Sequence, residues 1–184
     1  MKIGILGWGS LCWDPRTLNI LDDHWSLQGP ELPIEFARIS VDKRLTLVIL
    51  PGSDVVRTLY AISTFQNLDE AIEDLRTREG TSTQRIGFYN FETSVYRTRD
   101  ANRGIIPNIQ EWNKSACVDA VIWTDLPDKF VPDKDLTLYN IEKFLLSLTS
   151  FELSAATEYI EKTPIQVQTT LRGGIQEIIN TLKI

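Results

Sequence analysis

A chain of 184 residues, 42% hydrophobic and 24% charged, has the size and composition of one globular domain with a sizeable core. Its net charge of -6 argues against non-specific attraction to nucleic-acid phosphates or anionic membrane surfaces, so neither nucleic acid nor membrane is expected as a partner. Cys12 and Cys117 lie far apart without metal-ligand spacing and His24 is the lone histidine, which excludes a disulfide framework and a zinc site; both thiols read as reduced.

In chain order, the apolar run Ile3-Gly4-Ile5-Leu6 reads as a strand that breaks into the loop Gly7-Trp8-Gly9-Ser10-Leu11. Glycines at 7 and 9 permit backbone angles that turn successive N–H groups inward toward one small anionic or carbonyl ligand, and Ser10 adds a hydroxyl. Because this run stops at Trp8-Gly9 it is too short for a signal-peptide core, and no window reaches membrane-spanning length; a cytoplasmic protein is expected. Asp14-Pro15 predicts an N-cap and a short helix to about Leu21. Leu32 to Ser40 and Arg44 to Leu50 alternate as strands joined by a polar hairpin turn, closed by Pro51-Gly52, and Thr58 to Ser63 is a further strand.

Asn67-x-x-Glu70 opens a helix with Leu68, Ile72 and Leu75 on one face, which Gly80 ends. Arg85 to Asn90 and Val118 to Thr124 read as strands, with Ile105, Ile109 and Trp112 at helical spacing between them. Beyond Pro127, Leu138, Ile141, Phe144, Leu145 and Leu148 predict one helix. Leu171, Ile175, Ile178, Ile179 and Leu182 predict another, begun at Thr163-Pro164 and weakened by Gly173-Gly174. Strands first and helices last favour an α+β domain with a helical C-terminal cover over alternating βαβ units.

Several chemistries drop out. The strand followed by Gly7-x-Gly9 starts like a dinucleotide fingerprint, but position 12 is Cys and Pro15 interrupts any long helix. Ser10 does not lie in Gly-x-Ser-x-Gly, and His24 sits in a loop where a surface role is the simpler reading. Arg97, Arg99 and Arg103 form a basic cluster able to meet a carboxylate but read first as solvated. Arg38, inside an alternating strand, would need a carboxylate such as Asp14 or Glu79 if it points inward; the sequence leaves inward and outward open. Glu79, in Arg78-Glu79-Gly80-Thr81 at a helix end, reads as a solvated residue, although an acid there opposes the helix dipole.

Together, Trp8-Gly9-Ser10-Leu11 and the Glu79-Gly80 pair about seventy residues on resemble the γ-glutamyl cyclotransferase-like family. Its first strand runs into a Tyr-Gly-Ser-Leu or Tyr-Gly-Ser-Asn loop. The resemblance covers roughly Met1 to Asp125. It implies a small mixed β-barrel with flanking helices over residues 1–125; the helical pattern beyond, which the resemblance does not cover, predicts a C-terminal extension, 126–184, packed on the same domain. It also implies cofactor-free cyclisation of a γ-glutamyl compound to 5-oxoproline, without a metal. Gly7, Trp8, Gly9, Ser10 and Leu11 would hold the substrate, and Glu79 would act as general acid and base. Such a carboxyl group needs a raised pKa, for which Trp8, Trp13, Phe36 or Tyr60 would supply apolar walls. Trp8 replaces the family tyrosine, and an indole only donates. A non-catalytic binding module on the same fold is the alternative, and the C-terminal helices offer a surface for a homodimer.

Overall fold

The run from Ile3 to Leu6 is apolar throughout because both of its faces are buried: Leu6 belongs to one hydrophobic core, while Ile3 and Ile5 belong to another on the opposite side of the sheet. A computed structural model describes residues 1–131 and 134–182. In chain order the strands are β1 (Ile3–Gly7), β2 (Glu31–Ile39), β3 (Leu45–Ile49), β4 (Val55–Arg57), β5 (Leu59–Ile62), β6 (Ile86–Asn90), β7 (Tyr96–Arg97) and β8 (Ala120–Thr124). The α-helices are α1 (Leu68–Glu79), α2 (Ile106–Ala116), α3 (Leu138–Leu146), α4 (Ser150–Lys162) and α5 (Arg172–Leu182).

These strands form a five-stranded sheet, β5-β1-β8-β6-β7, and a three-stranded sheet, β3-β2-β4. β1 runs parallel to β8 and antiparallel to β5. The α+β class expected from the sequence holds. Among the described residues the strands do not close into a barrel; instead the chain changes sheets at the buried Thr58, between β4 and β5, whose N–H and hydroxyl both donate to Pro30 O. A second link runs from β2 to the segment after β8, where Ile39 N–H donates to Lys129 O and Lys129 N–H to Ala37 O.

Local signals explain most elements. Asn67 caps α1 by accepting from the N–H groups of Asp69 and Glu70, and Gly80 ends it with φ 60, a left-handed conformation that glycine adopts without steric cost. The hairpin between β2 and β3 turns through Lys43 (φ 62), with Ser40 N–H donating to Arg44 O. The helix expected after Pro15 does not form: Arg16 takes φ 53, and Leu18 N–H reaches only to Pro15 O, a single turn. The short strands β4 and β7 carry too few residues to show a period. α4 was not legible either, and α5 begins at Arg172 rather than at Thr163-Pro164, so the two glycines fall in its first turn.

Ile141, Leu145, Ile160, Ile175 and Ile179 of the C-terminal helices are buried in the same core as Trp8, Phe36 and Leu47. That face of α3, α4 and α5 is therefore spent within the chain. No helix among the described residues is long and apolar enough to cross a membrane.

Candidate active site

Gly7, Trp8, Gly9, Ser10 and Leu11, from the end of β1, and Glu79, from the end of α1, all line one cavity of about 320 Å³. This volume falls in the range of small-molecule sites. The link between the two segments is Arg78, whose side chain is only 4% exposed. Its guanidinium donates to Glu79 Oε1 at 2.6 Å, to the backbone oxygen of Asp14 at 2.6 Å and, more weakly, to Ser10 Oγ at 3.4 Å. One buried cation thus ties the helix end to the loop.

The loop after β1 enters a short 3₁₀ turn, Ser10–Cys12, in which Cys12 N–H donates to Gly9 O at 3.0 Å. The N–H groups of Ser10 and Leu11 precede that first bond and take no partner inside the turn. The glycines act differently from the sequence expectation. Neither Gly7 nor Gly9 has a left-handed φ; Gly9 has φ -128. What excludes a side chain is close approach: a Cβ on Gly9 would lie 2.3 Å from the Tyr159 hydroxyl, and one on Gly7 would lie 2.5 Å from the Trp25 ring and 2.8 Å from Cys12 Sγ.

Tyr159, which no sequence signal marked, reaches the cavity from α4. Its hydroxyl accepts from Leu47 N–H at 3.3 Å, its ring packs edge-on against Trp13 at 5.3 Å, and Arg44 stands over its face at 5.8 Å. Burial pushes its phenol pKa far up, with Leu47 N–H opposing and the Glu79 charge reinforcing the shift. Tyr159 therefore keeps its proton. Trp8 Nε1 donates to Leu47 O at 3.4 Å, so loop and helix both hold the peptide groups of one residue on the edge strand β3. The indole's single donor is consumed there.

The apolar setting expected around Glu79 is not what the fold supplies. Among the suggested walls, Trp8 lines the cavity, Trp13 packs behind it on Tyr159, Phe36 is fully buried in the core and Tyr60 packs on Trp112. Glu79, its side chain 16% exposed, instead meets a guanidinium, and its Oε2 makes no hydrogen bond among the described residues. Arg16, Arg38 and Arg44 join Arg78 in the lining, so the cavity is cationic although the chain as a whole is acidic. No sequence signal brought these arginines together, since they come from three separate segments, the loop after β1, the β2–β3 hairpin and the end of α1.

Arg38 faces the cavity and hydrogen-bonds Pro127 O at 3.0 Å rather than Asp14 or Glu79. The basic cluster has structural work: Arg97 donates to Ile86 O and stacks on Phe88, Arg99 donates to Leu126 O and pairs with Asp128 at 3.4 Å, and Arg103 sits in a solvated pair with Asp100. His24 is exposed, and both cysteines are free. Among the described residues no group of His, Cys, Asp or Glu is arranged to hold a metal ion.

Comparison with known proteins returned no match to a family model, a curated protein or a solved structure.

Proposed function

We propose that this chain is a cytoplasmic γ-glutamyl cyclotransferase-like enzyme that converts a γ-glutamyl amine or peptide to 5-oxoproline and releases the amine. The observation that carries this reading is the meeting of the Gly7–Leu11 loop and the Glu79 carboxylate in one arginine-lined cavity. The substrate's α-nitrogen bonds to the γ-carbonyl carbon while the bond from that carbon to the departing nitrogen breaks. Protons lost by the attacking nitrogen end on the released amine, so the reaction balances without water or a co-reactant.

Glu79 takes a proton from the attacking nitrogen through Oε2 and returns it to the leaving nitrogen. Arg78 holds Oε1 and so fixes the carboxylate's orientation. The N–H groups of Ser10 and Leu11 stabilise charge on the amide oxygen, and the cavity's cations meet the glutamyl carboxylate. The direct test incubates wild type and Glu79→Gln with a panel of γ-glutamyl amines and dipeptides and assays 5-oxoproline. Loss of at least a hundredfold in the variant is expected; equal turnover by both proteins overturns the assignment.

The Arg78 ion pair also favours a second reading, a non-catalytic module that binds a small acidic ligand, because the carboxylate is already engaged by a buried guanidinium while Arg16, Arg38 and Arg44 line the same cavity. That reading expects thermal stabilisation by γ-glutamyl compounds with no product formed.

A further inference from the structure

Arg38 stands where the cavity adjoins a second groove, of about 500 Å³, and it lines both. Of the cavity's arginines, Arg16 pairs with Asp14 at 3.1 Å, Arg44 with Asp42 at 2.7 Å and Arg78 with Glu79 at 2.6 Å. Arg38 has no carboxylate partner among the described residues; its one hydrogen bond goes to Pro127 O. Burial, together with the like charges of Arg85 and Arg99, lowers its pKa. A half-buried guanidinium among other cations, satisfied by one backbone oxygen, is a strong receptor for an anion that reaches it.

The groove beyond Arg38 has a different character. Phe130 and Phe144 meet edge to face at 6.4 Å, Leu148 lies beside them, and Lys43 and Lys129 add further cations. Among the described residues the groove's acidic residue is Glu152, which is committed to the N-cap of α4, where its carboxylate accepts from the N–H and hydroxyl of Thr149 at 2.9 and 2.8 Å. Lys43 bears on the same carboxylate and lowers its pKa further. A ligand that bridges cavity and groove would thus carry an anionic group at Arg38 and an apolar group against the two phenylalanines.

Resting on the cyclisation reading, we infer that Arg38 and the groove select the departing amine, Arg38 by a free carboxylate on it and Phe130, Phe144 and Leu148 by a large apolar side chain. The glutamyl part lies against the Gly7–Leu11 loop, the carboxylate of the departing residue on Arg38, and its side chain against Phe130, Phe144 and Leu148. Cyclisation breaks the peptide bond at the junction of cavity and groove and releases the apolar amino acid into the groove.

The test compares γ-glutamyl-phenylalanine, its C-terminal amide and γ-glutamyl-alanine. Turnover is assayed with wild type, Arg38→Gln and Arg38→Lys, and binding by calorimetry with Glu79→Gln, alone and combined with Arg38→Gln. The expected result is a preference of about ten- to a hundredfold for the free carboxylate over the amide in wild type. The ratio falls to about twofold in Arg38→Gln and is partly kept in Arg38→Lys, and phenylalanine exceeds alanine by about tenfold. Turnover with no preference for the carboxylate leaves cyclisation standing and overturns the Arg38 assignment. Absence of turnover with every compound overturns cyclisation, and the calorimetry then decides the rest: Arg38-dependent binding of γ-glutamyl-phenylalanine over its amide supports the anion site, and equal or no binding overturns it. Thermal melts of each variant separate a lost contact from a lost fold.

Discussion

Two carboxylates mark two kinds of place in this molecule. Glu35, on β2, is 2% exposed and accepts from its neighbour Phe36 N–H at 2.7 Å, Thr169 Oγ1 at 2.6 Å and Leu171 N–H at 3.1 Å. It fastens the chain leading into α5 to the three-stranded sheet. Glu79 has one hydrogen-bond partner among the described residues, a guanidinium, and its other oxygen lies beside a cavity. A buried acid with both oxygens bonded to donors inside the fold is closed to a ligand; an acid held at one oxygen beside a cavity can take a ligand with the other. The closed network therefore reads as architecture and the open one as a site.

The sharpest expected contrast concerns Cys12, whose thiol sits next to Gly7 behind the loop. Burial pushes its pKa up to about 12, against a weaker opposing pull from Arg78. Alkylation at pH 8 should label the exposed Cys117 about a thousandfold faster than Cys12, read by mass spectrometry of native and unfolded chains. The folded chain keeps this proton while the unfolded chain releases it near 9.0, so the thiol's contribution to stability is complete below that pH and declines as pH rises toward 12. Comparable labelling of both cysteines would show that the loop opens to solvent and is no fixed wall.

Next in size is Glu35→Ala, which strands the donors of Thr169 and Leu171 and should cost about 3 kcal/mol in urea unfolding. A neutral result would erase the distinction between the two carboxylates. Gly9→Ala should cost about 2 kcal/mol, because the new methyl group meets the Tyr159 hydroxyl. Adding Tyr159→Phe leaves a ring carbon at 3.3 Å as the nearest contact, so the double variant should be more stable than the sum of the single changes; strict additivity would mean that loop and helix do not touch. Glu79→Gln keeps an oxygen for Arg78 and should cost only about 1 kcal/mol, which separates its effect on turnover from any effect on folding. Smallest is Gly173→Ala, where a Cβ meets nothing within 4 Å and helix propensity should add about 0.5 kcal/mol.

Much of the framework was legible because its signals are local. Asn67 and Gly80 bracket α1, Val41-Asp42-Lys43 turns the hairpin, and the periods of β2, β3, α2 and α3 follow from the faces they bury. The reading failed where partners are distant in sequence. Pro15 looked like a helix start, yet Arg16 turns left-handed and Asp14 O is taken by Arg78 from the end of α1. α4 escaped notice, although Thr149 and Glu152 form a reciprocal cap at its start, since residues 150–162 mix small, polar and aromatic side chains around the buried Ala156, Tyr159 and Ile160.

The sequence by itself determined an α+β chain, an N-terminal strand ending in a glycine loop, and a carboxylate at the end of α1, since capping, turn chemistry and hydrophobic period act over a few residues. Only the tertiary structure decided that loop and carboxylate share a cavity, that Arg38, Arg44 and Tyr159 complete its wall, and that the glycines serve close packing in place of unusual backbone angles. The physical reason is distance: burial, charge and steric contact at the site are set by segments that lie scores of residues apart in the chain and meet only when both sheets and α4 have packed.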